Sequence, residues 1–353
     1  MKHLMKLQLL LLMLFVSAAM IMVSSCKDDE IVEGDKTDLN ALIVEADALA
    51  ASATSADYPQ AAIDTYNSTL QTIKEEAAKK LTQEEIDNLE VQLTEAMDTF
   101  EATAYDAIPQ SALLIGLSFD EGSGTSLVAE GKNLTAVLTA GPSQIFGTAT
   151  NIPSFIDGIA GKAMYFSNGS HLEISGYSAS DFLGNTLSIA VWLKPDSTRP
   201  GNYIASFNYW NSWKFQIQEQ NKPFFTVHTL AGYVDADNES DYSVPNDAWT
   251  HVVASMNLTA ETLDLYVNGV NTKHWTVTEK PNLTGTVSPY ATVLPIMIGA
   301  CTTYAEAKAA WTWEWPETPQ AWDGFIGAMD EFKIYNIALT DGQVSKLYND
   351  EKP

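Results

Sequence analysis

Leu263, Leu265 and Val267 fall on one side of an extended chain, and Asp264, Tyr266 and Asn268 on the other. That period of two marks a strand with one dry face. Asn268-Gly269 supplies the turn after it, since both residues tolerate positive φ. Phe325 to Ile334 alternates in the same way. Repeated short runs of this kind, broken by Gly, Pro and Asn, predict an all-β sandwich in which double-sheet packing manages the edges. After Leu339 the period changes. Thr340-Asp341-Gly342-Gln343 has the Thr-x-x-Gln spacing of a capping box, and Val344, Leu347 and Tyr348 give one short apolar helical face.

Residues 36–106 follow another rule, being rich in Ala, Glu, Asp and Leu with no Gly. Leu39, Leu42, Ile43, Ala46 and Leu49 share one helical face; so do Ile63, Tyr66, Leu70, Ile73 and Ala77, and so do Ile86, Leu89, Leu93, Met97 and Phe100. Pro59 sits at or near the first turn of the second helix, and Thr82 to Glu85 is a capping-box start for the third. Three amphipathic helices with short connections predict a small antiparallel bundle. The segment resembles the FIVAR-like helical repeats of extracellular sugar-active proteins and adhesins. It reads as a spacer that lifts the sandwich off a membrane, or as a partner-docking bundle.

The first residues change the picture. A short basic start, Met1 to Lys6, leads into Leu7 to Met22, which is apolar but short for a spanning helix. Val23-Ser24-Ser25-Cys26 resembles the lipobox of bacterial lipoproteins, which implies lipidation at Cys26. Lys27-Asp28-Asp29-Glu30 resembles the export tag of surface lipoproteins in Bacteroidetes-type bacteria. The expected layout is a signal peptide over 1–25, the lipidated Cys and acidic linker over 26–36, helices over 37–107 and the sandwich over 110–351. The expected location is the outer membrane, lipid-anchored and facing the exterior, with membrane contact through the anchor alone.

The 353-residue chain carries a formal charge of -26 spread over both halves. That charge repels nucleic acid and anionic head groups, while neutral glycans and basic peptides stay compatible. With Cys26 lipidated, Cys301 is left alone, so no internal disulfide forms. It reads as a small buried hydrophobe with no His nearby in sequence to activate it.

Five segments carry a resemblance to a known family. They are Gly161 to Ile174, Leu187 to Pro195, Trp249 to Ala254 with Leu263 to Gly269, Ile296 to Gly299, and Gly324 to Tyr348. In this order they resemble the laminin-G-like, concanavalin A-like jelly rolls, over roughly residues 110 to 350. The resemblance implies a mainly β fold, a two-sheet antiparallel jelly-roll sandwich, here preceded by a small α-helical bundle.

Three chemistries follow for such a sandwich. A glycoside hydrolase needs two carboxylates about 5 to 9.5 Å apart, carried in the sandwich hydrolases on one strand. Asp330-Glu331 has no further acid in register, and Asp235 to Asp241, with acids at alternate positions, reads as a solvated loop. No catalytic constellation emerges, and hydrolysis stays a residual alternative. The family resemblance also points to Ca2+ held by Asp120 and Asp330, with capping or hydrogen-bonding carboxylates as the competing reading. The Asp235 to Asp241 stretch imitates an EF-hand start, but Ser240 stands where Gly is needed.

Aromatic residues carry the third. Trp192 and Trp249 read as core. Tyr209, Trp210 and Trp213 sit at a turn between two strands, with Asn208, Asn211, Gln216, Gln218 and His228 as polar partners. Trp311, Trp313 and Trp315 lie in a connection, Thr302 to Trp322, longer than the fold requires. Each Trp is worth about 1.5 to 3 kcal/mol on burial, so these three fold onto the sandwich or await a ligand. Long loops of this kind are more often functional than neutral. The reading is a non-catalytic surface lipoprotein whose sandwich binds carbohydrate; the alternative is a protein-binding adhesion or assembly module.

Overall fold

The computed structural model describes residues 32–353, apart from 56, 149–150, 200, 210, 239–241, 291–293, 311–321 and 323. Cys26, Trp210, Trp311, Trp313 and Trp315 therefore lie outside the described residues. The chain divides into two compact units: residues up to Ala51 with Tyr66–Thr99, and Ser52–Thr65 with Phe100–Pro353.

Three helices form where the apolar periodicity places them: α1 (Thr37–Ser52), α2 (Gln60–Ala77) and α3 (Gln83–Glu101). Leu39 and Ala46 of α1, all five apolar-face residues of α2, and Ile86, Leu89, Leu93 and Phe100 of α3 are buried; Leu42, Ile43, Leu49 and Met97 are only partly so. Thr82 and Glu85 close the expected box. The Thr82 N–H donates to Glu85 Oε2 at 2.8 Å and the Glu85 N–H to Thr82 Oγ1 at 3.4 Å. Among the described residues no helix is long and apolar enough to cross a membrane.

The larger unit is a two-sheet sandwich. In chain order its strands are β1 (Leu113–Leu117), β2 (Ser126–Val128), β3 (Glu130–Gly131), β4 (Thr135–Thr139), β5 (Ser154–Asp157), β6 (Lys162–Phe166), β7 (His171–Ile174), β8 (Thr186–Pro195) and β9 (Asn202–Phe207). There follow β10 (Trp213–Gln218), β11 (Lys222–Thr229), β12 (Gly232–Asp237), β13 (Thr250–Asn257), β14 (Thr262–Val267), β15 (Val270–Thr276), β16 (Ile296–Ile298) and β17 (Gly327–Tyr335), with helices α4 (Tyr304–Ala310) and α5 (Asp341–Glu351). The first sheet runs β15-β14-β13-β8-β17-β1-β3, with β6 also on β17 and β5 on β6; the second runs β12-β11-β10-β9-β16-β7-β4-β2. Every strand pairing among the described residues is antiparallel, as in β8 with β13 and β10 with β11.

Inward side chains of both sheets make one core that includes Phe119, Phe166, Phe207, Trp213, Phe215, Phe225 and Phe332. The Asn268-Gly269 turn forms as expected, with φ of 50° and 77°. The outward face of the first sheet departs from the simple alternation. Tyr266, on the side read as polar, is buried with its hydroxyl donating to Asp341 Oδ1 at 2.8 Å. The reason is α5, which packs Val344 and Leu347 against Ala190, Val253, Tyr266 and Tyr335. Its capping box forms between Thr340 and Gln343.

Candidate functional site

Pairing registers fix which side chains share the outward face of the second sheet. Along β10, Trp213, Phe215 and Ile217 enter the core, so Lys214, Gln216 and Gln218 face out. Lys214 pairs with Ser206 on β9 and Thr226 on β11, Thr226 with Asp235, and Ser206 with Met297, which pairs with Glu173. The row therefore reads Glu173, Met297, Ser206, Lys214, Thr226, Asp235. The next row along the strands holds Tyr203, Gln216, Phe224 and Asp237; a bulge at Ile204 keeps Tyr203 outward. On the other side lie His228 and Tyr233. Three rows two residues apart span about 13 Å along the strands, enough for more than one sugar ring.

This face is unevenly exposed. Ser206, Gln216, Thr226 and Met297 are buried, whereas Tyr203, Lys214, Phe224 and His228 are partly open and Tyr233 is exposed. The Lys214 ammonium sits 5.5 Å from the centre of the Tyr203 ring and 5.0 Å from that of Phe224, and donates to Gln216 Oε1 at 2.5 Å. Burial pushes it down to about 8, against the pull of Asp235. The Thr226 hydroxyl donates to Asp235 Oδ1 at 2.6 Å. His228 and Tyr233 stack at 4.0 Å with their planes 9° apart.

The turn before β10 closes one end of this face. His228 Nδ1 lies 3.2 Å from the Asn211 carbonyl, and the Tyr233 hydroxyl donates to Asn211 Oδ1 at 3.4 Å. Asn211 and His228, expected near the Trp210 group, are thus brought together. Tyr209 is buried and held at φ 65°, a left-handed conformation that a bulky residue adopts rarely and that clusters at functional positions. Trp213 corrects its expectation. Its ring is buried in the core and its Nε1 donates to the Phe182 carbonyl at 3.3 Å, so it offers no face to a sugar. Gln218 stands at the far end of β10, and Asn208 is buried, accepting from the Leu294 N–H at 3.3 Å. Trp192 is buried as read, under α5 rather than between the sheets, and Trp249 is partly buried.

The described residues that flank Trp311, Trp313 and Trp315 are held in place on both sides. Before them, Ser206 Oγ donates to the Cys301 carbonyl, and burial pushes the Cys301 thiol up to about 12, as suits a buried apolar group. After them, Trp322 is buried and meets the Tyr304 ring of α4 edge-on at 5.6 Å.

Asp235 and Asp237 lie on β12, with Ala236 buried between them, which corrects the reading of that stretch as a loop from its start. Alternate residues put the two about 7 Å apart. A general acid needs a dry pocket to stay protonated; Asp235 is exposed and already accepts from Thr226.

Asp120 and Asp330 converge on a single turn, between β5 and β6. Asp330, fully buried, accepts from the Ile159 N–H at 2.8 Å and from the Glu331 N–H at 2.8 Å, while Asp120 accepts from the Lys162 N–H at 2.8 Å. A Cβ on Gly158 would collide with Asp330, and one on Gly161, at φ 62°, with Asp120. Burial pushes the Asp330 carboxyl up to about 7 despite its N–H donors. Calcium takes six to eight oxygens. The groups aimed at both carboxylates are N–H donors, and among the described residues no three or more His, Cys, Asp or Glu side chains are placed to hold a metal. As placed, the pair does not fit a calcium shell; it ties a turn.

Residues 166–294 match the family model of the concanavalin A-like lectin/glucanases superfamily. That stretch of the sandwich is similar to the superfamily. No curated relative matches the chain. Among solved structures it is similar to domain 4 of an extracellular arabinanase from Geobacillus stearothermophilus, solved with arabinotriose, at 19% identity and a TM-score of 0.47, covering 68% of this chain and 100% of that one. It is also similar to the binding domain of Paraclostridial Mosquitocidal Protein 1, at 16% identity and a TM-score of 0.49, covering 68% of this chain and 52% of that one. The receptor-binding domain of botulinum neurotoxin mosaic serotype C/D matches at 13% identity and a TM-score of 0.46, covering 68% of this chain and 51% of that one. The chain thus spans about half the length of these two toxin domains.

In this lectin-like sandwich the sequence reading missed Tyr203, Lys214, Phe224, Tyr233 and Asp235 as members of one face. The signal was present as parity: Lys214 and Gln216 alternate with Trp213, Phe215 and Ile217. Only the pairing of β9 to β12 shows that these residues are neighbours.

Proposed function

We propose that the sandwich captures a glycan, without hydrolysing it, in the cleft on the outward face of the second sheet. One observation carries the reading: three adjacent rows bring the aromatic faces of Tyr203, Phe224 and Tyr233 together with Gln216, Asn211 and Lys214. A sugar ring packs its C–H face on an aromatic side chain while amides and charged groups meet its hydroxyls. The connection bearing Trp311, Trp313 and Trp315 is the proposed cover. The helices act as a spacer, and lipidated Cys26 holds the protein on the outer face of the outer membrane.

A glycan array read with full-length protein tests this. Tyr203→Ala with Tyr233→Ala is expected to abolish binding with the near-UV circular dichroism unchanged; binding retained in the folded double variant would refute the cleft. Loss only on replacing Trp311, Trp313 and Trp315 would move the site to the connection. Binding of a protein partner and of no glycan would favour the adhesion reading. Reducing ends released from a bound glycan, and lost in Asp235→Ala, would make the protein a hydrolase. Cys26→Ser is expected to release the protein from the membrane fraction, and protease added to intact cells should digest the native protein if it faces outward.

A further inference from the structure

We propose that Lys214 makes this cleft selective for a carboxylated sugar, a uronic acid unit, over its neutral counterpart. The inference rests on the glycan-binding reading and names the ligand class.

Lys214 lies mid-strand on β10, walled by the Tyr203 and Phe224 rings, with its ammonium donating to Gln216. Among the described residues no carboxylate lies within ion-pair distance of it. Asp235, the nearest acid in its row, has its backbone two strand spacings away, about 10 Å; it pulls on the ammonium at a distance and accepts from Thr226. A partly desolvated ammonium without a counterion is unfavourable, and cation–π contact offsets about 0.5 to 2 kcal/mol. A carboxylate arriving between the two rings supplies a close counterion that no described residue provides, and charge-assisted hydrogen bonds are about twice as strong as neutral ones. The Tyr203 and Phe224 rings flank the ammonium, so the cation and the aromatic surface address one sugar residue.

The chain's formal charge of -26 opposes a polyanion at long range. Salt confines that repulsion to about 8 Å under physiological conditions. Asp235 and Asp237 occupy the β12 side, so the carboxylate belongs on the side of Ser206. A glycan bearing scattered uronic acid units fits better than a dense polyanion.

The test uses full-length protein on an array that pairs each uronate-bearing oligosaccharide with its carboxyl-reduced neutral form. Wild type is expected to bind the acidic member of a pair at least tenfold more tightly. Lys214→Met should erase that preference, so that the acidic and neutral members of a pair bind alike, and Lys214→Arg should keep it. Equal or tighter binding of the reduced forms by wild type would overturn the assignment while leaving glycan capture intact. An acid preference unchanged in folded Lys214→Met would overturn it too. Binding to no member of any pair would overturn both this inference and the glycan reading beneath it.

Discussion

The two sheets each place a lysine mid-strand on their outward face, and the two lysines have opposite environments. Lys333 on β17 lies under α5, 2.5 Å from Glu331 Oε2 and 2.6 Å from Glu351 Oε1. Burial disfavours its charge, yet Glu351 and Glu331 outweigh burial and hold its pKa up. Glu351 also accepts from Trp192 Nε1 at 2.8 Å, and Tyr348 stacks on the Trp192 ring. His251 beneath is kept neutral, pushed down to about 3 by burial and then by Lys333. Lys214 on β10 has two aromatic walls and no carboxylate partner among the described residues, and its pKa falls. The first face is completed by the chain's own helix. The second, among the described residues, leaves Lys214 between two aromatic rings with no carboxylate beside it, the contrast on which the proposed binding face rests.

Substitutions can break that contrast. The largest effect is expected inside the second sheet: Trp213→Ala should cost about 3 to 5 kcal/mol in urea denaturation, whereas Tyr233→Ala on its outward side should stay within about 0.5 kcal/mol. Similar losses at both positions would mean the outward side is core as well. Next comes the lysine pair. Lys333→Ala leaves Glu331 and Glu351 without their cation under α5 and should cost about 3 kcal/mol, while Lys214→Met removes a charge that no described carboxylate pairs and should leave stability unchanged or raised. If Lys214→Met destabilised as much as Lys333→Ala, the cleft would be a structural face. Thr340→Ala removes the cap of the covering helix, for about 1 kcal/mol.

The pH dependence is smaller and its sign is fixed. Asp330 is raised from 3.8 to about 7, so across that window the folded protein holds more protons than the unfolded chain. Its contribution is fully present below 3.8 and is lost as pH rises toward 7; Asp330→Asn should flatten that slope in melts taken from pH 4 to 7. Lys214 is lowered from 10.5 to about 8, so stability should rise between those values, and Lys214→Met should remove the rise. Least of all, chelation with EDTA should leave the melting temperature unchanged, because N–H donors already meet Asp120 and Asp330; a drop of several degrees would assign a structural calcium.

Much of the fold was legible because its elements are encoded locally. The alternation in Leu263 to Val267, the Asn268-Gly269 turn, the Thr340 to Gln343 box and the apolar faces of α2 and α3 each depend on residues within a few positions. The candidate site was legible only in fragments. Asn211 and His228 were read as polar partners and do meet, but Trp213 was read as a turn residue open to a sugar, whereas the strand already begins there. Asp235 was read as loop although Val234 and Ala236 alternate with it.

By itself the sequence determined the mainly β sandwich, the three helices and their caps, since backbone periodicity and capping are short-range properties. Tertiary structure alone decided which outward face is covered. Alternation says that two sides exist and not what lies over them. That depends on α5 returning across β17 and on β9 to β12 aligning Tyr203, Lys214, Phe224 and Tyr233, contacts between residues that local chemistry cannot relate.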